Sequence, residues 1–246
     1  MLVKGGNPKD RLIIALDVDN LRDAKRLVEQ LRDYAGVFKV GKQLYTNTGP
    51  EILEIIHKNG GKVFLDLKFH DIPHTVAKAG QGAVKLKVFM YNLHALGGFD
   101  MMKMAVDFTK AKARELHIPR PVVLAVTLLT SLNEKDIREV GIDYSVDEEV
   151  LRLAKLSKRA GVDGVVASPR EVKMIRENLG EGFIIVTPGI RPNPEIIDDQ
   201  KRIMTPKEAI LAGSDFIVIG RPIIEAVDPV ESAKGILEDM KKGLGM

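Results

Sequence analysis

Cysteine and tryptophan are absent from the 246 residues, and aromatic side chains make up only 5% of them. Without cysteine the chain has no disulfide framework and no thiolate metal site. With so few rings the core has to be aliphatic, and at 45% hydrophobic the chain has enough such residues to bury a large one. An excess of one charge is missing too: 37 Lys and Arg stand against 34 Asp and Glu, a formal net charge of +3. That balance argues against a nucleic-acid partner and leaves room for a small anionic ligand. No apolar run approaches the roughly 20 residues of a bilayer-crossing helix. The opening MLVKGGNPKDR has no apolar stretch of the secretory-leader kind. A soluble, cytoplasmic protein without membrane contact is expected.

What the sequence does have is a rhythm. Short apolar runs recur: LIIALD (12–17), VFKVG (37–41), KVFLDLK (62–68), VFMYNLHA (88–95), PVVLAVT (121–127), GVVAS (164–168), FIIVTPG (183–189) and FIVIG (216–220). They are rich in β-branched residues and bounded by Gly, Pro or charge, which predicts strands. The segments between them carry helical periodicity. In 21–34, Leu21, Ala24, Leu27, Val28 and Leu31 share one face. The stretch 147–161 repeats the pattern and ends at Gly161. Eight strands alternating with helices predict an α/β fold, a (β/α)8 TIM barrel forming a single domain over 1–246. The alternative is an open doubly wound sheet, but LDVDNLRD after the first strand lacks the glycines of a dinucleotide-binding turn.

In such a barrel, chemistry sits at the C-terminal ends of the strands, and alternation decides which side chains face inward. Phe64, Asp66 and Lys68 share a face of the third strand; Ile13, Ala15 and Asp17 share one on the first; Val37 and Lys39 share one on the second. Four charges, Asp17, Lys39, Asp66 and Lys68, are therefore expected to converge at the barrel mouth. Charges in so apolar a setting pair with one another or do chemistry. A second theme is anion binding. The eighth strand ends FIVIGRPI, where Gly220 permits close backbone approach, Arg221 offers a bidentate fork and Pro222 opens a short helix. The long connection 189–206 after the seventh strand has the character of a phosphate-gripping lid, with Arg191 and Gln200 as its contacts. His70 and His74 are four apart, but Pro73 lies between them, so a helical metal pair is not expected. His94 ends the fourth strand and is expected at the mouth. His57 and His117 fall in helical segments as ordinary surface residues.

These blocks together resemble the orotidine 5'-phosphate decarboxylase family. LDLKFHDIP (65–73) is similar to its signature, and KVGK (39–42), LLTS (128–131), VTPGIRP (186–192), DQKRIMTP (199–206) and VIGRPI (218–223) follow in order. The resemblance spans nearly the whole chain. It implies cofactor-free decarboxylation of orotidine 5'-phosphate to UMP and carbon dioxide, in pyrimidine biosynthesis, with no metal at the site. It implies that Lys68 is the proton donor to the sixth ring carbon and that Asp66 lies beside the departing carboxylate. Asp71 is implied to be supplied across a homodimer interface. Asp17 and Lys39 are implied at the ribose and in the charge network, and Thr130 at the pyrimidine edge. Arg191, Gln200, Gly220 and Arg221 are implied chiefly around the phosphate, and segment 66–75, including Thr75, at the same pocket. Two rivals are a magnesium-dependent sugar-phosphate enzyme and a non-catalytic phosphate-binding barrel. The magnesium-dependent rival is expected to carry an acid at the second strand, where this chain has Lys39.

Overall fold

All eight apolar runs form strands in the computed structural model, which describes residues 7–192 and 203–246. They are β1 (Leu12–Ala15), β2 (Val37–Gly41), β3 (Lys62–Phe69), β4 (Met90–His94), β5 (Val122–Val126), β6 (Gly164–Val166), β7 (Ile184–Thr187) and β8 (Phe216–Ile219). All pairings are parallel and sequential, and β1 closes on β8 with Leu12 opposite Ile217, giving a closed eight-stranded barrel. Several strands are a residue or two shorter than the apolar runs that announced them. The run 12–17, for example, leaves the ladder after Ala15, which frees Asp17 to lie on the rim.

Helices fill the connections. They are α1 (Leu21–Leu31), α2 (Lys42–Thr48), α3 (Glu51–Lys58), α4 (Pro73–Lys85), α5 (Gly98–Glu115), α6 (Glu134–Glu139), α7 (Val146–Arg159), α8 (Val172–Leu179), α9 (Pro206–Ala212), α10 (Arg221–Ile224) and α11 (Pro229–Leu244). Local chemistry sets their ends. Asn20 caps α1 by accepting from the Asp23 amide at 2.9 Å. Ser145 and Glu148 form a reciprocal capping box at the start of α7. Gly161, with φ 82°, turns the chain out of α7. The face of α1 expected to be apolar is the buried one: Ala24, Leu27, Val28 and Leu31.

Because helices cover the outside and side chains fill the inside, the strands are largely apolar on both faces, with the charges of β2 and β3 as the exceptions. Two separate cores result. The outer one lies between sheet and helices and holds Leu12, Ile14, Phe38, Val40, Val63 and Leu65 among others. The inner one fills the barrel itself with Ile13, Val37, Phe64, Met90, Leu124 and Val186 and their neighbours. Each fully buried aliphatic contributes about 1.5–3 kcal/mol. The inner plug also floors the mouth, so the polar side chains above it stand on a dry apolar base.

Candidate active site

One cavity of about 310 Å³ opens above the plug at the C-terminal ends of the strands. Asp17, Lys39, Asp66, Lys68, Thr130, Arg191, Gly220 and Arg221 all line it. The four charges form an alternating line. Lys39 Nζ is 2.9 Å from Asp17 Oδ1 and 3.4 Å from Asp66 Oδ2, and Lys68 Nζ donates to Asp66 Oδ1 at 2.7 Å. Asp66, between the two lysines, is buried, whereas the Asp17 side chain is 43% exposed at the rim.

Burial disfavours both charged partners at the centre, and their mutual attraction outweighs it. Desolvation alone would raise the Asp66 pKa, but Lys39, Lys68 and the hydrogen bonds from Lys68 and Asn92 hold it below the usual carboxylate value. Desolvation alone would lower the Lys39 pKa, but Asp66 and Asp17 hold it above the usual lysine value. The site thus keeps a carboxylate and an ammonium ionised beside an apolar floor.

Lys68 reaches the cavity by a different route from the alternation that was expected. The β3–β4 register shifts between Leu65 opposite Tyr91 and Phe69 opposite Leu93, so four steps on β3 face two on β4. Lys68 sits in this bulge with φ 51°, the left-handed region. Its amide leaves the ladder and donates instead to Asn92 Oδ1 at 2.8 Å. Bulges re-aim side chains in this way beside functional sites.

The side expected to bind an anion is built from β7 and β8. Arg191 is 5% exposed, and its Nη1 donates to the Ile190 carbonyl at 2.9 Å. The Arg191 amide donates to the Met204 carbonyl at 3.0 Å, which clasps the two ends of the β7–α9 connection. Gly220 follows β8 where a Cβ would stand 3.2 Å from both Asp17 Oδ2 and the Ala15 Cβ. Glycine therefore lets the chain after β8 pass close to Ala15 and Asp17. Arg221 follows at once and opens α10, with Pro222 in its first turn, as the sequence suggested.

Not every expected residue lies in this cavity. Asp71 and Thr75 are exposed and are not among its lining residues; Asp71 Oδ1 accepts from the Ile72 amide at 2.6 Å. Gln200 and residues 193–202 of the expected lid lie outside the described residues. His94 does end β4, with its ring centroid 5.3 Å from that of His70. Burial, then the neighbouring His70, Lys68 and Lys42, push its pKa down to about 4. His70 and His74 lie on either side of Pro73, the first residue of α4. Among the described residues no group of His, Asp or Glu gathers as a metal-binding cluster. His57 is half-buried on α3 rather than a plain surface residue, and burial with Lys87 lowers its pKa; His117 is exposed in the turn after α5. Two contributors had not been singled out: Ser131, beside Thr130 in the lining, and Asn92, whose Nδ2 donates to Asp66 Oδ1 at 2.6 Å. A polar amide inside the apolar strand MYNLH, on the inward face with Met90, was the available signal for the second.

Comparison with known proteins places this geometry in context. The family model described as Orotidine 5'-phosphate decarboxylase / HUMPS family matches residues 10–236. The orotidine 5'-phosphate decarboxylase of Trichlorobacter lovleyi is 51% identical over 236 residues, covering 96% of this chain and 97% of that protein. Its counterpart from Syntrophotalea carbinolica is 53% identical with the same coverage. The crystal structure of orotidine 5'-phosphate decarboxylase from Lactobacillus acidophilus superposes with a TM-score of 0.82 at 40% identity, covering 93% of this chain and 98% of that one.

Proposed function

The chain belongs to the orotidine 5'-phosphate decarboxylase / HUMPS family and decarboxylates orotidine 5'-phosphate to UMP in pyrimidine biosynthesis, and from that premise we propose that Lys68 is the group that delivers the proton. Breaking the bond between the sixth ring carbon and the carboxylate releases neutral carbon dioxide and leaves an electron pair on that carbon. The pair lies in the ring plane, where no adjacent carbonyl delocalises it well. A fixed positive charge at the position where the negative charge develops is therefore the main stabilisation available. The Lys68 ammonium meets the pair, transfers one proton to make the new C–H bond, and recovers a proton from solvent.

The observation that carries this reading is the 2.7 Å contact between Lys68 Nζ and a buried, ionised Asp66 inside the cavity. Asp66 aims the ammonium, and it lies beside the carboxylate that leaves. Asp17 and Lys39 hold the ribose, Thr130 meets the pyrimidine edge, and Arg191, Gln200, Gly220 and Arg221 take the phosphate. Binding energy from that remote phosphate is what lowers the barrier beyond the share of one ammonium. No cofactor enters. A divalent cation at the end of β2 would meet the Lys39 ammonium, which repels it. Asp71 and Thr75 serve the site of a second subunit in a cytoplasmic homodimer, which accounts for their exposure on this chain.

The test is release of labelled carbon dioxide from carboxyl-labelled orotidine 5'-phosphate, with EDTA present. Wild-type turnover is expected to be unaffected by the chelator. Lys68→Ala is expected to lose about a thousandfold or more in kcat, given the usual contributions of a general acid and of preorganised charge. UMP binding by the variant should persist. Turnover of Lys68→Ala above about a tenth of wild type would remove Lys68 from the proposed role.

A further inference from the structure

Asn92 is fully buried, stands outside the cavity lining, and has no part in the chemistry derived so far. A primary amide in an apolar strand is costly unless its donors and acceptor are satisfied. Here both ends are used on the same machinery. Nδ2 donates to Asp66 Oδ1 at 2.6 Å, and Oδ1 accepts from the Lys68 amide at 2.8 Å. Lys68 Nζ donates to that same Asp66 oxygen at 2.7 Å. The three residues form a closed ring of hydrogen bonds across the β3 bulge. Within it, the Lys68 backbone holds a left-handed conformation that a residue with a Cβ adopts only when its surroundings impose it.

We propose that Asn92 is a positioning residue for the decarboxylation: its carboxamide replaces the missing rung between β3 and β4 and fixes the Asp66 carboxylate and the Lys68 backbone so that the ammonium points into the cavity. The inference rests on the reading of Lys68 as proton donor. Asn92 never touches the nucleotide, so its effect falls on the orientation of groups that do.

Asn92→Asp tests this. It preserves shape and an acceptor for the Lys68 amide, removes the donor to Asp66, and adds an acid beside it. Asp66 is faced by Lys39 from β2, by Lys68 on its own strand, and by Asn92 and His94 from β4, with Asp17 beyond Lys39. Removing the Asn92 donor weakens the ionised form of Asp66, so the acid limb of the kcat/KM profile moves to higher pH, by about one unit. The kcat value falls about 10- to 100-fold, the range for a lost charge-assisted hydrogen bond, while KM stays within about threefold.

Lys68→Ala is assayed in parallel. If it keeps turnover, the proton-donor reading fails; if it is inactive while Asn92→Asp matches wild type in kcat and acid limb, only the role of Asn92 fails. A kcat loss with an equal rise in KM and an unmoved acid limb also overturns that role, as simple damage to the fold. Should the variant not fold, the wild-type protein still decides. Its Lys68 amide is expected to exchange with deuterium at least about a hundredfold slower than an open amide, and unprotected exchange there overturns the proposal.

Discussion

His94 shows what a single side chain contributes when the barrel mouth crowds it. Its Nδ1 is buried and finds no hydrogen-bond partner among the described residues, and its pKa is driven from 6.5 to about 4. Above pH 6.5 the imidazole is neutral in both states and titration does not affect stability. As the pH falls below 6.5, the unfolded chain takes up a proton that the folded chain refuses, so stability declines until about pH 4, where both are protonated. Wild-type protein is therefore expected to lose melting temperature across this window more steeply than His94→Gln, measured by thermal unfolding at stepped pH. His57, also lowered, remains in both proteins and sets the residual slope. Asp66 does not confuse the reading, because its stabilisation is lost only as pH falls below the ordinary carboxylate value. At this scale much of the site was legible. Strand alternation brought Asp17, Lys39 and Asp66 to one mouth, since inward positions at strand ends have nowhere else to go, whereas Lys68 reaches it through the β3 bulge. Asn92 was not singled out, because its importance depends on a register shift that no local pattern in LDLKFHD announces.

Between elements, β4 interlocks closely with α4 and α5. Tyr91 of β4 and Thr109 of α5 share a hydrogen bond of 2.7 Å, and Gly80 of α4 lies directly over it. A Cβ at Gly80 would stand 2.7 Å from the Tyr91 hydroxyl and 2.9 Å from Thr109 Oγ1. Gly80→Ala gains helix propensity, yet it is expected to destabilise the protein by about 1–3 kcal/mol through overpacking. Adding Tyr91→Phe, which removes the obstructing hydroxyl, should recover part of that loss in chemical denaturation. A purely additive double variant would refute the steric origin. Element identity was readable from the sequence because β-branched runs and 3.6-residue periodicity are strong and local. Strand ends were less so. The run 88–95 keeps its apolar character on both sides of β4, and only pairing with β3 and β5 determines that the strand is Met90–His94.

For the whole molecule, the proposed sharing of Asp71 between subunits has a numerical consequence. Lys68→Ala and Asp71→Asn proteins are each expected to be inactive. Random pairing makes half the dimers mixed, and each mixed dimer holds one complete site, so activity should return to roughly a quarter of wild type. Absence of recovery, with subunit exchange verified by differential labelling, would place Asp71 outside the partner's site. The barrel was foreseeable as a whole because eight repeats of strand and helix leave few ways to close a sheet. The expected homodimer rests on the family resemblance alone, since no sequence pattern reports which exposed residues meet another copy.

The apolar plug of Phe64, Met90, Leu124 and Val186 has one more effect. It fills the barrel interior beneath Lys68, so among the described residues the cavity gives access from the C-terminal ends of the strands. On the proposed reading the nucleotide's phosphate is held there by Arg221, and the carbon dioxide leaves by the same side. On that reading both products depart by the side through which the substrate came, and the width of that passage enters the rate of each.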